Sequence, residues 1–286
     1  MTPIQIGVGS RSFPELTHRE TAELLERTGA TSTELCLHSA DTKYWVYNGR
    51  SDLSTLSDSA FREIVETYRG HGIEVPALGV FTNLIDPDEK ELRQNLDYYR
   101  RHLELAAANG IPYVSTECGF TPHQRGVNTD RYEDDFQRIV DSLGTLCGWA
   151  AEYGVSIALE TCVIDVVPSA KRAADLHGQV GSPSLKFLLD PANLIANSSE
   201  WDMFYYLAPH VAYFHGKDRK VNDVMGRVVG DGDINWPLFL SLYHKWCEGK
   251  PFILEYVKRD NFEEIMTRVR LYDEKARAEM ERTKSI

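Results

Sequence analysis

The sequence lacks any run of about 18 consecutive apolar residues, the length that a membrane-spanning helix requires. It also begins without a basic segment followed by a long apolar stretch, so no secretory signal is recognised. Basic residues are in the minority, because 43 Asp and Glu outnumber 31 Lys and Arg and the net charge is −12. Nucleic acids and anionic membranes are bound through an excess of cations. We therefore expect neither as a partner, and chemistry on a small molecule instead.

Cysteine is scarce, and no pair of cysteines has the CxxC spacing of a zinc or redox site. The chain has five, an odd number, and most of them lie inside apolar segments: Cys36, Cys118, Cys147, Cys162 and Cys247. Buried, reduced thiols are typical of proteins in a reducing compartment. We therefore expect a cytoplasmic protein without disulfides.

The glycine-rich turn that binds dinucleotides is also missing. The segment GVGSRSF, which follows the first predicted strand, has two glycines but lacks the third at the required place. This argues against a doubly wound open sheet, the alternative α/β fold. Eight strand-like segments alternate with helical ones, and 286 residues match the ~250 of a barrel with modest insertions. The sequence therefore predicts an α/β protein with one (β/α)₈ TIM-barrel domain spanning residues 1–286.

Two tetrapeptides predict where helices begin. The first, from Thr17 to Glu20, matches a capping box. The second, from Asp86 to Glu89, is interpreted as Asp86 at the N-cap and Pro87 at the first helical position of a long helix that reaches Ala108.

Four consecutive apolar segments each stop at a polar residue that can bind a metal. These segments are the fifth to eighth predicted strands, and the residues that end them are Glu160, Asp190, His215 and Glu255. In parallel α/β folds the carboxyl ends of the strands meet at one rim, where the chemistry takes place. One such ending would be uninformative, but four in a row predict a shared site.

The types of these four residues indicate which metal they suit. Carboxylates are hard oxygen ligands, whereas structural zinc sites favour thiolates. Three carboxylates and one imidazole therefore favour one divalent ion, most readily Mn²⁺, Mg²⁺ or Co²⁺, with Zn²⁺ as a further option.

The segments IALET, FLLDPANL, AYFHGKD, GDGDINWPLFL and ILEYV, in this order, carry a resemblance to a known family. They resemble the sugar phosphate isomerase and epimerase family of xylose isomerase-like TIM barrels, which includes ketose 3-epimerases, inosose-processing enzymes and endonuclease IV. The resemblance is strong in the C-terminal half and is limited to the rhythm of strands in the first half. Endonuclease IV is a poor model, because DNA repair requires a basic face and several more histidines than this acidic chain offers.

The resemblance implies a ligand set and a reaction. One divalent ion would be held by Glu160, Asp190, His215 and Glu255, and the two glutamates would also be the catalytic acid and base. The expected function is a metal-dependent isomerase or epimerase of a sugar or keto-sugar that acts through a metal-stabilised enediolate. A lyase, either a decarboxylase or a dehydratase acting on an oxidised sugar or a 3-oxo sugar acid, is the alternative, since loss of CO₂ or of a hydroxyl passes through the same type of intermediate. A barrel that only binds sugar is a further alternative.

Further residues are predicted to bind the carbohydrate substrate. Family members that epimerise free ketoses usually have a histidine three residues after the aspartate ligand, where this chain has Asn193. An amide there can hydrogen-bond a hydroxyl but does not titrate near neutral pH. Lys217 and Arg219 are candidates for an anionic group, although solvated loop cations are the alternative. Glu117, at the end of the fourth predicted strand, could bind hydroxyls or cap a helix.

Two loops complete the predicted site. The loop after the second strand contains His38 and Trp45, which could stack on a sugar or form a lid, or could instead bury an oligomer contact. The sequence therefore does not decide whether the protein is a homo-oligomer. The loop after the fourth strand contains His123 and Arg125, which we expect to face solvent. The sequence leaves the substrate, its phosphorylation state and the physiological metal undetermined.

Overall fold

Eight parallel strands alternate with eight helices in the part of the chain that the structure, a computed structural model, describes, residues 1–126 and 128–284. The strands are β1 (Ile6–Val8), β2 (Ser32–Leu35), β3 (Glu74–Gly79), β4 (Tyr113–Thr116), β5 (Ser156–Glu160), β6 (Leu185–Leu189), β7 (Val211–Gly216) and β8 (Phe252–Leu254). The helices are α1 (His18–Thr28), α2 (Asp58–Gly70), α3 (Glu89–Ala108), α4 (Tyr132–Tyr153), α5 (Ala170–Val180), α6 (Glu200–Leu207), α7 (Trp236–Trp246) and α8 (Phe262–Lys284).

The strands form one sheet in the order β1-β8-β7-β6-β5-β4-β3-β2, and every neighbouring pair is parallel. The two end strands meet at a seam. There the Thr31 amide donates to the Ile6 carbonyl at 2.9 Å, and the Thr33 hydroxyl donates to the Val8 carbonyl at 2.7 Å. The sheet therefore curves into a nearly closed barrel surrounded by helices, and the predicted single-domain (β/α)₈ fold is confirmed.

Two apolar clusters fill the molecule. The larger one lies between the strands and the surrounding helices, whereas the smaller one has a composition suited to a narrow barrel interior: Ala77, Ala158, Leu188, Ala212, Tyr213 and Ile253. Side chains two positions apart in a strand point to the same face of the sheet. Four members of the smaller cluster lie two residues before a predicted ligand, as Ala158 does before Glu160. The pleat of the strands therefore directs those polar side chains inward.

The predicted helix starts were partly correct. Thr17 and Glu20 form the expected capping box at the start of α1. The prediction that Asp86 caps α3 was wrong, because the N-cap is Asp88, whose carboxylate accepts from the Lys90 and Glu91 amides. The Asp86 carboxylate instead accepts from the Asp88 amide at 3.0 Å, which closes a turn before the helix. The helix ends at Ala108, as predicted.

Two features expected from the sequence concern the cysteines and the apolar character of the helices. All five cysteines are free and buried. Within residues 1–126 and 128–284, no helix combines the length and the apolar character that crossing a membrane requires.

Gly7 allows the first two strands to approach closely. A Cβ atom at this position would lie 2.4 Å from the Ser32 carbonyl oxygen. We expect Gly7→Ala to lower the free energy of unfolding by about 2–3 kcal/mol, since overpacking forces the backbone to shift. Gly9→Ala is the matched control, because its Cβ would meet nothing closer than the Leu254 carbonyl at 3.8 Å. Urea unfolding measures both, and equal stability of the two variants would contradict a tight seam.

Candidate metal centre

The four residues predicted to bind a metal converge at the mouth of the barrel. Glu160, Asp190, His215 and Glu255 each offer one ligand atom, these four atoms all lie within 4.8 Å of one another, and all four residues are buried. They come from β5, from the residue after β6, from β7 and from the residue after β8. The parallel sheet thus joins positions that are far apart in the sequence.

The donor set fits a divalent cation. Ligands on opposite sides of an ion with bonds of about 2.1 Å lie about 4.2 Å apart, so the cluster would need only a small contraction. The His215 Nδ1 atom is buried without a hydrogen-bond partner, and it faces Glu160 Oε1 at 3.4 Å and Glu255 Oε2 at 3.6 Å. An imidazole nitrogen directed between carboxylates is the arrangement that a shared ion requires.

Lys217 supplies the positive charge inside this cluster. Its Nζ lies 2.5 Å from Asp190 Oδ2, 3.0 Å from Glu255 Oε2 and 3.7 Å from Glu160 Oε1. The side chain is buried, with only 4% of the residue exposed. Lys217 was predicted to bind substrate or to be a solvated loop cation. The second alternative was wrong, because the ammonium lies among the carboxylates.

The Glu34 carboxylate orients His215 from the side of the ring opposite to Glu160 and Glu255. The His215 Nε2 lies 2.6 Å from Glu34 Oε2 and donates to it, while the Tyr213 hydroxyl donates to the same oxygen at 2.9 Å. A histidine whose Nε2 donates has the Nδ1 lone pair available for a cation. Carboxylates that fix a ligand histidine in this way usually govern metal affinity. Glu34 on β2 therefore fixes the tautomer and the direction of the ligand.

Asn193 and Arg219 form a chain of hydrogen bonds that ends on Glu160. The Asn193 Nδ2 donates to Glu160 Oε1 at 2.9 Å, and the Arg219 Nη2 donates to Asn193 Oδ1 at 3.0 Å. Asn193 lies in a short 3₁₀ helix, Pro191–Asn193, directly after Asp190. The contact with Arg219 fixes the orientation of the amide, so that its NH₂ group faces the carboxylate. Only 5% of Arg219 is exposed, so the solvated alternative was wrong for this residue too.

Arg11 orients the fourth ligand. Its guanidinium pairs with the Glu255 carboxylate and lies over the rings of Phe81, at 5.0 Å, and Trp45, at 5.5 Å. The aromatic rings restrict the guanidinium to one position, and the ion pair restricts Glu255 in turn. Both glutamate ligands are therefore oriented by hydrogen-bond donors from the walls of the barrel.

The pKa values reflect the crowding of charge. Burial lowers the pKa of His215, but the Glu34 and Glu160 carboxylates outweigh it and raise this pKa to about 9. Burial raises the pKa of Asp190 to about 6, although the Lys217 ammonium opposes this shift. Burial also raises the pKa of Glu117, and the charge of Glu160 adds to that shift. A cation bound here would have to displace a proton from His215, which couples metal binding to pH.

A cavity of about 1170 Å³ opens above the cluster. Predicted substrate contacts among its lining residues are Trp45, Glu117, Asn193, Lys217 and Arg219. Those residues therefore face the space that a ligand would fill.

His38 lies outside the cavity wall, whereas Arg125 belongs to it. His38 is not among the residues that line the cavity and packs against Trp45, with ring centroids 5.6 Å apart. Arg125 is exposed, as expected, and it also lines the cavity. Its Nη2 donates to the Tyr47 hydroxyl at 3.0 Å, and that hydroxyl donates to Glu117. The sequence did not indicate the contact between Arg125 and Tyr47, because their two loops meet only in the folded barrel.

Asp218 organises the long loop after β7. It is fully buried and accepts from the Arg219, Gly230 and Ile234 amides as well as from the indole of Trp236. This explains the spacing between the AYFHGKD and GDGDINWP segments. The loop holds the backbone of Arg219 beside the cavity.

Sequence reasoning missed the role of Arg11. It lies in a short 3₁₀ helix, Ser10–Ser12, and carries no local pattern that reveals a role. Glu34 gave a usable signal, because an acidic residue inside a buried strand is unusual and requires a partner. Its partner, His215, is 181 positions away in the sequence.

The chain belongs to the xylose isomerase-like TIM-barrel family, whose model matches residues 22–285. The expected family is therefore confirmed. No curated protein matches the sequence at a significant level.

Solved structures share the fold at low sequence identity. The IolI protein, solved with a bound zinc atom, has a TM-score of 0.72 and 18% identity, and the match covers 96% of this chain and 97% of that one. D-Psicose 3-epimerase from Clostridium cellulolyticum H10, solved with D-tagatose, has a TM-score of 0.69 and 16% identity over 99% of both chains. AsbF of Bacillus anthracis, described as the probable 3-DHS dehydratase, has a TM-score of 0.72 and 14% identity over 93% of this chain and 97% of that one.

The position of Lys217 has a measurable consequence for metal binding. A cation bound by the four ligands would compete with the ammonium for the same oxygens, and like charges at this distance repel strongly. We expect Lys217→Met to tighten Mn²⁺ binding about tenfold in titration calorimetry. In the presence of EDTA the same variant should melt at a lower temperature than wild type, because its buried carboxylates lack a counter-charge.

Lys220→Met is the matched control, since Lys220 lies in the same loop but is exposed. It should leave both the metal affinity and the melting temperature unchanged. Wild-type values for both quantities in Lys217→Met would contradict the role of Lys217 as the internal counter-charge.

Proposed function

We propose that this protein is a divalent-metal-dependent isomerase or epimerase of a sugar or keto-sugar. The observation that carries the proposal is the convergence of four ligand atoms within 4.8 Å of one another below a cavity of about 1170 Å³. The family supports it, because its fold neighbours include a sugar epimerase and a zinc-containing protein. The volume suits a small carbohydrate.

The ligand set of three carboxylates and one imidazole favours Mn²⁺, Mg²⁺ or Co²⁺, and the zinc atom of IolI makes Zn²⁺ a further candidate. A bound divalent ion supplies Lewis-acid chemistry, since it lowers the free energy of negative charge on a substrate oxygen. Proton transfer is left to the protein.

Glu160 and Glu255 are the proposed acid and base. They approach His215 Nδ1 from two strands, at 3.4 Å and 3.6 Å. One carboxylate removes the proton from the carbon next to the substrate carbonyl, which gives an enediolate, and the other returns a proton. Return to the opposite face of the same carbon epimerises the sugar, whereas return to the neighbouring carbon isomerises it. Asn193 and Arg11 keep the two carboxylates aimed at the substrate.

A lyase acting on an oxidised sugar is the second candidate. No additional catalytic groups are needed, because the enediolate can expel a β-hydroxyl group and a 3-oxo acid can lose CO₂ to give an enolate. The observation that favours this candidate is Arg219, a buried cation in the cavity wall, which suits a carboxylated substrate. Release of CO₂, or formation of an unsaturated product, would distinguish the lyase from the epimerase.

If Glu160 and Glu255 are the two bases, substituting either one should affect the exchange of the substrate proton and the net conversion of substrate differently. We expect Glu160→Gln and Glu255→Gln each to slow net conversion of a ketose by at least about a hundredfold, because each lacks one proton carrier. The remaining carboxylate can still exchange the substrate proton on its own face. NMR in D₂O would then show deuterium entering one epimer without conversion to the other.

Metal content must be measured in parallel, because both residues are also proposed ligands. Glu152→Gln, on the exposed face of α4, is the control and should convert substrate at the wild-type rate. Wild-type conversion by metal-loaded Glu160→Gln and Glu255→Gln would refute the proposal. So would inactivity of the metal-loaded wild-type protein on a broad panel of ketoses, sugar phosphates and sugar acids.

A further inference from the structure

Arg219 is a buried cation without an anionic partner. Its Nη2 donates to the neutral Asn193 amide, whereas its Nε is buried and has no acceptor. Among the described residues, no carboxylate lies within ion-pair distance of this guanidinium, although only 5% of the residue is exposed. Taking a guanidinium out of water without a counter-ion is strongly unfavourable. Such a group is stabilised when an anion binds beside it.

The neighbouring Asp218 does not neutralise Arg219. Both Asp218 carboxylate oxygens accept from other donors, namely three backbone amides and the Trp236 indole. The one side-chain hydrogen bond of Arg219, to Asn193, leaves its Nε and Nη1 groups free to donate within the described structure. These donors belong to a residue that lines the cavity.

The cavity wall as a whole is more basic than the protein. The chain has a net charge of −12, yet cations outnumber acids among the lining residues. The cations are Arg11, Arg125, Lys217, Arg219, Lys258 and Arg259, and the acids are Glu15, Glu117, Glu255 and Asp260. Arg11 and Lys217 are paired with cluster carboxylates, so they are already neutralised. Of the four cations that remain, only Arg219 is buried, so its charge is the one least screened by water.

The distance from Arg219 to the proposed bases suits a short molecule. Arg219 is separated from Glu160 by two hydrogen bonds, of 3.0 Å and 2.9 Å, and the single Asn193 amide between them. A carbohydrate whose carbonyl lies at the cluster can therefore reach Arg219 with the other end of its chain.

We propose that Arg219 binds a carboxylate of the substrate, and that the substrate is a sugar acid rather than a neutral sugar. This inference rests on the proposed function, because it assumes that a carbohydrate occupies the cavity. It applies to the epimerase and the lyase alike. Besides the N–H that it donates to Asn193, Nη2 has a second one, so a planar carboxylate can accept from Nη2 together with either Nε or Nη1. A phosphate dianion, by contrast, is usually bound by several cations or by a helix N-terminus.

The test compares sugars that differ only at carbon six. D-Fructose, D-fructuronate and D-fructose 6-phosphate share a carbonyl and hydroxyls, and D-tagatose with D-tagaturonate forms an epimeric series. We expect the metal-loaded protein to bind at least one of the two uronates about tenfold more tightly than the matching ketose in titration calorimetry, as one charge-assisted contact suggests. We expect Arg219→Gln to reduce that preference, the ratio of the affinity for the uronate to the affinity for the ketose, to about twofold or less.

Two further variants keep the outcome interpretable. Arg219→Lys retains the charge and should retain part of the preference, which guards against a folding defect in Arg219→Gln. Arg62→Gln, on the exposed face of α2, should bind every sugar as wild type does. Melting temperatures verify that all three variants fold.

Several results would overturn the inference. These are equal affinity for ketoses and uronates, binding of none of them, a uronate preference that survives in folded Arg219→Gln, or tighter binding of the 6-phosphate. The results that would refute the proposed function differ from those that would refute the sugar-acid inference. Proton exchange on a neutral ketose without a uronate preference would refute only the sugar-acid inference, whereas tight uronate binding without exchange or elimination would refute only the proposed reaction.

Discussion

The mouth of this barrel depends on the balance of buried charge. Three carboxylates lie close enough to share one cation, and burial in a low-dielectric interior makes their mutual repulsion severe. The protein relieves this repulsion with cations from different parts of the chain: Lys217 within the cluster and Arg11 on Glu255. Any ligand that enters the site acts on this balance, which is why metal, proton and substrate binding should all be coupled here.

The closure of the barrel positions the site as much as the ligand strands do. The ligands come from the second half of the chain, but the residues that orient them include Glu34 on β2 and Arg11 after β1. These contacts cross the barrel or its β8 to β1 boundary. A sheet that stayed open at the β1 and β2 seam would leave His215 without Glu34, its orienting partner.

Much of the architecture could be predicted from the sequence. The alternation of strands and helices predicted the barrel. The four residues at the strand ends predicted the cluster of metal ligands, because parallel strands must end at one rim. The start of α3 was predicted two residues early, since both Asp86 and Asp88 can cap a helix and only the folded turn selects one. The contact of Arg125 with Tyr47 was not predicted, because the two residues belong to loops that are far apart in the sequence.

The sequence alone determined the fold, the inward direction of the four strand-end side chains and their suitability for a hard divalent cation. These follow from local rules, namely the period of two in a strand and the chemistry of each side chain. Only the tertiary structure decided that Lys217 lies among the carboxylates, that Glu34 orients His215 and that Arg219 is buried without a counter-ion. The physical reason is that burial and pairing of charges depend on contacts between distant segments, which local sequence patterns do not encode.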